Sequence, residues 1–469
     1  MQLAARFRRF RALLPVVAAL AWPTMLEQIM QTAVQYIDTA MVGSLGTAAT
    51  AAVGATTTVN WLVGSTIMAF GIGFLAYISQ ARGAGRHDDA RCASAQSVLA
   101  VLVTGVLFTV LILTLARHVP VWMQVDPSLR DTAAQYFFIL YTPMLPRAAS
   151  IIFGTVLRAA GDTKTPMRVG ILVNVINVTL NYLLIYSPHP VTLFGVLFTV
   201  PGAGLGVVGA AVASAIAFLV GGVLITAALY RHREISPRGY SIRPDFSVLR
   251  PCLRVAFPNM LQRFGTSLGY VAFASMINSL GGLSTAAHTI ANTVESAFYV
   301  PGFGMQSAAA TLTGNAIGAR DETRRRELAR VILICEVTLM AVSGALLFAF
   351  APAMVCIFSR DEAVILLGST VLRMVACSEP FYGVSLSIEG MLQGAGKTKV
   401  PFVFNILGMW GVRNLGTLLC TQLLHLSLVS AWACMIGHNL LLFTAFVVYY
   451  RRGRWNPLRS GVPAPAEAL

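Results

Sequence analysis

From about residue 14 to residue 450 the chain is a succession of apolar stretches separated by short polar turns. Stretches of about twenty residues match the hydrocarbon thickness of a bilayer. Inside lipid each such segment must satisfy its own backbone hydrogen bonds. The chain can therefore fold only as a bundle of membrane-crossing helices. A β-barrel is excluded, because the runs are continuous rather than alternating. Composition agrees: 11% of residues are charged and 56% hydrophobic, where a soluble domain carries about a quarter charged residues.

Twelve spans are expected, at about 14–43, 50–80, 93–116, 132–157, 166–187, 203–230, 255–280, 284–316, 327–352, 363–393, 401–424 and 427–450. The second, eighth and tenth exceed the usual length, which implies tilt, kinks or projecting ends. The expected organisation is an N-lobe at 1–230, a cytoplasmic linker at 231–254 and a C-lobe at 255–469. The fold class is thus an all-α polytopic membrane protein.

An internal repeat sharpens this. At a constant offset of 235, Pro23, Met25 and Leu26 fall on Pro258, Met260 and Leu261, and Ser44-Leu45-Gly46 falls on Ser279-Leu280-Gly281. Ala81, Gly83 and Ala84 fall on Ala316, Gly318 and Ala319, and Leu157–Pro166 falls on Leu392–Pro401. Near the sixth span the offset drops to 221, with Gly209-Ala210-Ala211 answering Ser430-Ala431-Trp432. The loop before that span is longer in the first half by the difference. Each repeat holds six spans, an even number, so both enter the membrane in the same direction. Two parallel six-helix lobes about a pseudo-twofold axis along the membrane normal, facing a central cleft, are expected. Rocking of the lobes would give alternating access.

The net charge of +15 does not indicate a nucleic-acid partner, because the basic residues alternate with the spans. One set of loops and termini holds 27 Lys and Arg, the other only Arg117, Arg130 and Arg360. The positive-inside rule then places both termini in the cytoplasm and the protein in the plasma (inner) membrane. Arg6 to Arg11 before the first apolar run resembles a signal-peptide front. No small-residue cleavage site follows, so an uncleaved first span is expected. The seven cysteines have no paired spacing and read as packing residues.

The first span carries an unusual stripe. Glu27, Gln31, Gln35 and Asp38 are offset by 0, 4, 8 and 11 positions and lie within roughly 80° on a helix. Such a stripe must face protein or a water-filled cavity. Asp38 lies in the outward half; it is a candidate proton carrier or sodium ligand, or else caps the helix end near Gly43. Glu27 lies about three turns deeper, as a second proton site, a cleft-facing carboxylate for cationic substrate, or the structural partner of a group such as Arg147. Asn174, Asn177 and Asn181 share one face of the fifth span. Amides there can glue helices together.

Taken together, Ile37–Gly43 with Leu45-Gly46 and Ala51-Ala52, the segment Leu157–Pro166 with its counterpart Leu392–Pro401, and Gly206–Ala213 resemble the multidrug and toxic compound extrusion (MATE) family of secondary transporters. The resemblance covers essentially all twelve spans in order. It implies export of amphiphilic or cationic small molecules driven by protons or sodium, with no other cofactor. It further implies that Asp38 binds the coupling cation, with sodium at Asp38 as one option, and that Pro23 marks a bend. Asn177 matches the fifth-span asparagine, but Asn181 stands where the family tends to have Asp. Ser214 stands where a pocket hydroxyl is usual. The Glu27, Gln31, Gln35 and Asp38 stripe is answered by Gln262, Thr266, Tyr270 and Phe273, so the acid some members carry in the seventh span is absent. That favours a DinF-like over a NorM-like arrangement, with coupling in the N-lobe.

The substrate cleft is expected to involve Gln31, Gln35, Tyr36, Asn174, Glu295, Glu379 and Glu389. The three glutamates either attract cations or pair with Arg263, Arg373 or Arg413. Glu336 is also embedded, with no role assigned. Pro301 in Pro301-Gly302-Phe303-Gly304 is a candidate flexing point. No phosphate-binding loop, zinc-protease motif or nucleophile triad is present in the sequence, so enzyme chemistry is not expected. Two rival readings stand: a lipid or lipid-linked-saccharide flippase of the same wider superfamily, and an intramembrane lipid-modifying enzyme. The expected partners are the bilayer and the transported small molecules, with the protein a monomer.

Overall fold

The computed structural model describes residues 2–122, 125–193 and 196–460. Helices α1 (Gln2–Gly43), α2 (Thr47–Gly83) and α3 (His87–Leu115) come first. After the short α4 (Val119–Trp122) come α5 (Arg130–Tyr141), α6 (Met144–Ala159) and α7 (Lys164–Ile185). A hairpin of β1 (His189–Leu193) and β2 (Val196–Val200) leads to α8 (Gly206–Arg231). The second half holds α9 (Phe246–Asn278), α10 (Gly282–Gly318), α11 (Glu322–Phe358), α12 (Glu362–Ala376) and α13 (Glu379–Gly394). It ends with α14 (Lys399–Ile406), α15 (Leu415–Leu418), α16 (Leu428–Arg452) and α17 (Pro457–Ser460). Wider π turns at Leu407–Asn414 and Leu419–Leu423 join α14 and α15 into one irregular rod.

Among the described residues, seven single helices and two bent pairs are long and apolar enough to cross a bilayer. α9 and α10 are of spanning length but less apolar, and the rod from Lys399 to Leu423 is interrupted by its π turns. The bent pairs give the long tenth span one of the kinks its length allowed, and add a bend in the fourth that its length did not suggest. α5 meets α6, and α12 meets α13, at 51° in both cases. Prolines explain the breaks: Pro143 precedes α6, and Pro380 sits in the first turn of α13. Neither can donate a backbone hydrogen bond back across the break.

The repeat is visible in the backbone. Gly46 and Gly281, 235 positions apart, adopt φ of 110° and 98°, and Gly161 and Gly396 adopt 82° and 72°. A side chain is strained there, which is why glycine recurs at these turns. The repeated threonine of the second turn also has a purpose. Pro23 lies inside α1 without breaking it, and leaves the Ala19 carbonyl without its usual donor. The Thr163 hydroxyl supplies one at 3.4 Å. Its counterpart Thr398 donates to the Val255 carbonyl at 2.8 Å, three residues before Pro258. Thr398→Val should therefore cost about 1–2 kcal/mol, and Thr163→Val, with its longer bond, less than about 1 kcal/mol. Thermal unfolding in detergent checks both.

The additional residues of the first half form the antiparallel β1–β2 ladder, from His189 opposite Val200 to Leu193 opposite Val196. The linker ends earlier than expected. Asp245 accepts from the Ser247 amide at 2.9 Å and so starts α9 at Phe246; this bonding holds its carboxyl below the usual carboxylate range. The linker packs on the N-lobe, with Ile235 fully buried in that core and the Gln96 amide donating to the Arg243 carbonyl at 2.9 Å.

The two halves meet most closely at the end carrying the basic loops. The Gln80 amide donates to the Gly394 carbonyl at 2.7 Å, and Thr311 to the Arg158 carbonyl at 3.3 Å. Gly83 lies directly against the Asn315 carbonyl, and Gly318 against that of Gln80. A second seam joins α1 to α10, where Thr24 donates to the Gly304 carbonyl at 3.0 Å and Tyr36 to the Thr293 carbonyl at 2.8 Å.

Candidate functional site

Asp38 projects toward α7 from the half of α1 farther from the basic loops, and the polar groups expected beside it converge there. The Asn181 amide donates to Asp38 Oδ1 at 2.6 Å. Asn177, one turn earlier on α7, reaches the same carboxylate. Oriented with its nitrogen toward Asp38 it donates at 2.9 Å, while its oxygen accepts from Ser214 Oγ of α8 at 3.1 Å. An ionised carboxylate only accepts, so this orientation fits the charged state. Asn177 and Asn181 are buried, at 6% and 1% exposure. Among the described residues no Lys or Arg pairs with Asp38. A hollow of about 920 Å³ opens at the ends of α1 and α7 away from the basic loops, lined by Met41, Val178, Tyr182 and Tyr186 but by none of the cluster's own side chains.

Glu27 is not part of this cluster. Its Oε1 pairs with Arg158 of α6 at 2.6 Å, both side chains being mostly buried. Arg147, the partner suggested by the sequence, instead lies over the rings of Phe218 and Tyr141, at 4.7 and 5.5 Å from their centroids. The repeat accounts for this pair once the C-lobe is seen, because Glu27 answers Gln262 and Arg158 answers Gln393. In the C-lobe these two amides donate to one atom, Glu389 Oε1, at 2.9 and 3.1 Å. Asn405 donates to the other oxygen at 3.2 Å. Gly154 stands where Glu389 would fall in the first half. The two lobes thus build the same polar centre with different charges. Glu27→Gln, which leaves Arg158 unpaired, should cost about 2–3 kcal/mol, toward the lower end for a broken buried pair because both groups retain some exposure. Chemical or thermal unfolding measures it.

Glu389 faces a cavity of about 120 Å³ within the C-lobe, which Trp61 of α2, Tyr270, Tyr382 and Arg413 also line. The Arg413 guanidinium sits 4.1 Å from the Phe273 ring centroid and 4.7 Å from that of Tyr270. Glu295, Glu336 and Glu379 are buried, at 7%, 0% and 1% exposure, so Glu379 and Glu336 do not reach an open cleft. Of the remaining candidates, Gln31 and Gln35 are exposed on α1 and Asn174 is half-buried on α7, outside the Asp38 bonding set. Tyr36 is held by α10. α10 passes through Pro301 unbroken; Gly302 there admits Met340, and Gly304 admits the Met25 backbone. All seven cysteines are free; Cys420 and Cys434 lie 3.9 Å apart.

Comparisons with known proteins give one consistent result. The MatE family model matches residues 23–183 and 258–418, two blocks displaced by the same offset as the sequence repeat. A relative from Thermotoga maritima, named as a probable multidrug resistance protein NorM, is 27% identical over 437 residues, covering 93% of this chain and 92% of its own. The mouse protein named multidrug and toxin extrusion protein 2 is 26% identical over 73% of this chain and 59% of its own. Among solved structures, a MOP superfamily transporter from Pyrococcus furiosus superposes with TM-score 0.86 at 21% identity, covering 95% and 96% of the two chains. An outward-facing multidrug resistance MATE transporter superposes with TM-score 0.85 at 22% identity over 95% and 96%.

Proposed function

The chain belongs to the MatE family of multi-pass membrane transporters, and from that premise we propose that it exports amphiphilic or cationic compounds by exchange for an inward-moving cation. The observation that carries this reading is the Asp38 cluster: one carboxylate on α1, two amides on α7 and a hydroxyl on α8, with no Lys or Arg paired to the acid among the described residues. An unneutralised acid in a membrane helix is costly unless a proton or metal cation compensates it.

The cluster can serve either ion. For a proton, Asp38 is the carrier, and the Asn177 amide accommodates both states by turning over. Its nitrogen faces the charged carboxylate; after protonation its oxygen accepts the new O–H, while its nitrogen turns to Ser214, 3.1 Å away. For sodium, Asp38, the asparagine carbonyls and Ser214 Oγ supply the hard oxygen ligands that ion prefers. Binding draws α1 toward α7, and α1 carries the motion to the other lobe through its seam with α10. Coupling then resides in the N-lobe, as in the DinF-like arrangement, and rocking about that seam opens the closed basic end.

The names of the relatives favour export of small molecules over the flippase or lipid-modifying readings. Reconstitution into vesicles tests the proposal. An excess of protons, and separately of sodium, inside vesicles holding inverted protein should drive uptake of a fluorescent cation as the coupling ion flows out. Absence of gradient-dependent movement with either ion would refute it.

A further inference from the structure

At the basic end of the C-lobe, α11, the end of α16 and the turn after it enclose a pocket of about 280 Å³. Five arginines line it: Arg325, Arg326, Arg330, Arg451 and Arg459. Among the described residues a single acid pairs with them. Glu322 takes Arg325 at 2.6 Å, Arg326 at 2.6 Å and Arg459 at 3.2 Å, and also accepts from the Asn456 amide at 2.8 Å. Its acceptor capacity is used up. Among the described residues Arg330 and Arg451 form no ion pair, so the pocket keeps a surplus of positive charge.

The site is built rather than merely basic. The Arg325 side chain is only 6% exposed. Its Nη1 donates to Tyr450 Oη at 3.1 Å, and its guanidinium lies 5.0 Å from the Trp455 ring centroid. Trp455 in turn stacks on Tyr450 at 5.1 Å, and its Nε1 donates to the Tyr450 carbonyl at 3.1 Å. Nor does the duplicated scaffold impose it. At the offset of 235, Arg325 and Arg330 are answered by Ala90 and Ala95. At 221, the offset that holds for the last helix, Arg451 and Trp455 are answered by Tyr230 and Glu234.

We propose that this pocket binds the phosphate of an acidic phospholipid headgroup from the leaflet that meets the basic end. Arginine matches a phosphate's oxygens with paired N–H donors. A stacked Trp and Tyr suit the depth where headgroup gives way to acyl chain, and basic pockets between spanning helices hold anionic headgroups. A free phosphate would satisfy the arginines equally. The lipid is favoured by what flanks the pocket. Ile334 and Val337 on α11, and Leu441 and Val448 on α16, are exposed apolar side chains nearer the bilayer centre, available to acyl chains.

The test is native mass spectrometry of the full chain in detergent, titrated separately with phosphatidylglycerol, phosphatidylcholine and inorganic phosphate. Phosphatidylglycerol should bind at concentrations at least about tenfold lower than phosphatidylcholine. Arg330→Gln with Arg451→Gln should erase that preference, since both residues are free of ion pairs and their loss leaves Glu322 satisfied. Arg238→Gln with Arg243→Gln removes the same charge from the exposed linker and should leave the preference intact. Equal loss in both double variants would reduce the effect to overall charge and overturn the proposal. So would equal binding of the two lipids. Inorganic phosphate displacing the lipid at millimolar concentration from the wild type would overturn the lipid assignment in favour of a free phosphate. None of these readouts depends on transport or on Asp38.

Discussion

Asp38→Asn should leave a folded protein whose gradient-driven export falls at least about tenfold, to near the level of empty vesicles. The substitution is isosteric, and the new amide can still meet Asn181 and Asn177. It removes the one property the proposed mechanism requires, a site that alternates between charged and neutral. Folding should not suffer. An ionised carboxylate inside a membrane helix carries a penalty of about 2.5–3.5 kcal/mol on insertion scales, and the asparagine carries less. Thermal unfolding equal to or above that of the wild type, with transport lost, is the expected pair of results. Full gradient-driven activity in the variant would end the case for Asp38. Asn181→Leu should act in the same direction more weakly, because Asn177 still reaches the carboxylate.

The second large effect concerns the closed end. A side chain at Gly83 would meet the Asn315 carbonyl, and one at Gly318 the Gln80 carbonyl, at separations no real Cβ tolerates. Backbone lies on both sides, so no rotamer change relieves the overlap. Gly83→Val or Gly318→Val should hold α2 and α10 apart and remove the conformation in which the basic end is shut. Transport should fall at least about tenfold, whereas substrate binding from the basic side persists. Spin-label distances between the basic ends of α2 and α10 should lengthen by a few ångströms. Normal turnover together with wild-type distances would show that this contact is not needed for the cycle.

Much of this was legible in the chain. Membrane-length apolar runs and one offset shared by separated spans define an all-helical chain of two repeated halves, because lipid leaves the backbone so few options. The cluster of Asp38, Asn177, Asn181 and Ser214 was legible too, since i, i+4 spacing puts both amides on one face of α7 and the family resemblance indicates which helix they face. The partner of Glu27 was not apparent. Arg158 sits in a turn motif that counts as loop by composition, and only the reach of its side chain from the end of α6 brings it to the acid. The sharp break between α5 and α6 was also missed, and that between α12 and α13 was foreseen only as one option for a long span. Pro143 and Pro380 are plain in the sequence, but hydropathy runs continuously through both. Burial of Glu336 and Glu379 depends on contacts among α10, α11 and α13 that no periodicity within one helix encodes.

The paired polar centres have a consequence for how this protein can drift over generations. In one lobe the centre is Glu27 with Arg158; in the other it is Gln262 with Gln393 around Glu389. A single change of Glu27 or Arg158 strands a buried charge, whereas changing both to glutamine reproduces the two side chains the second lobe already uses. Glu27→Gln with Arg158→Gln should therefore recover at least about half of the stability lost by Glu27→Gln alone, a non-additivity that a double-mutant cycle reads directly. The ion pair acts as a ratchet: once acquired, it cannot be lost one residue at a time without passing through a weaker protein.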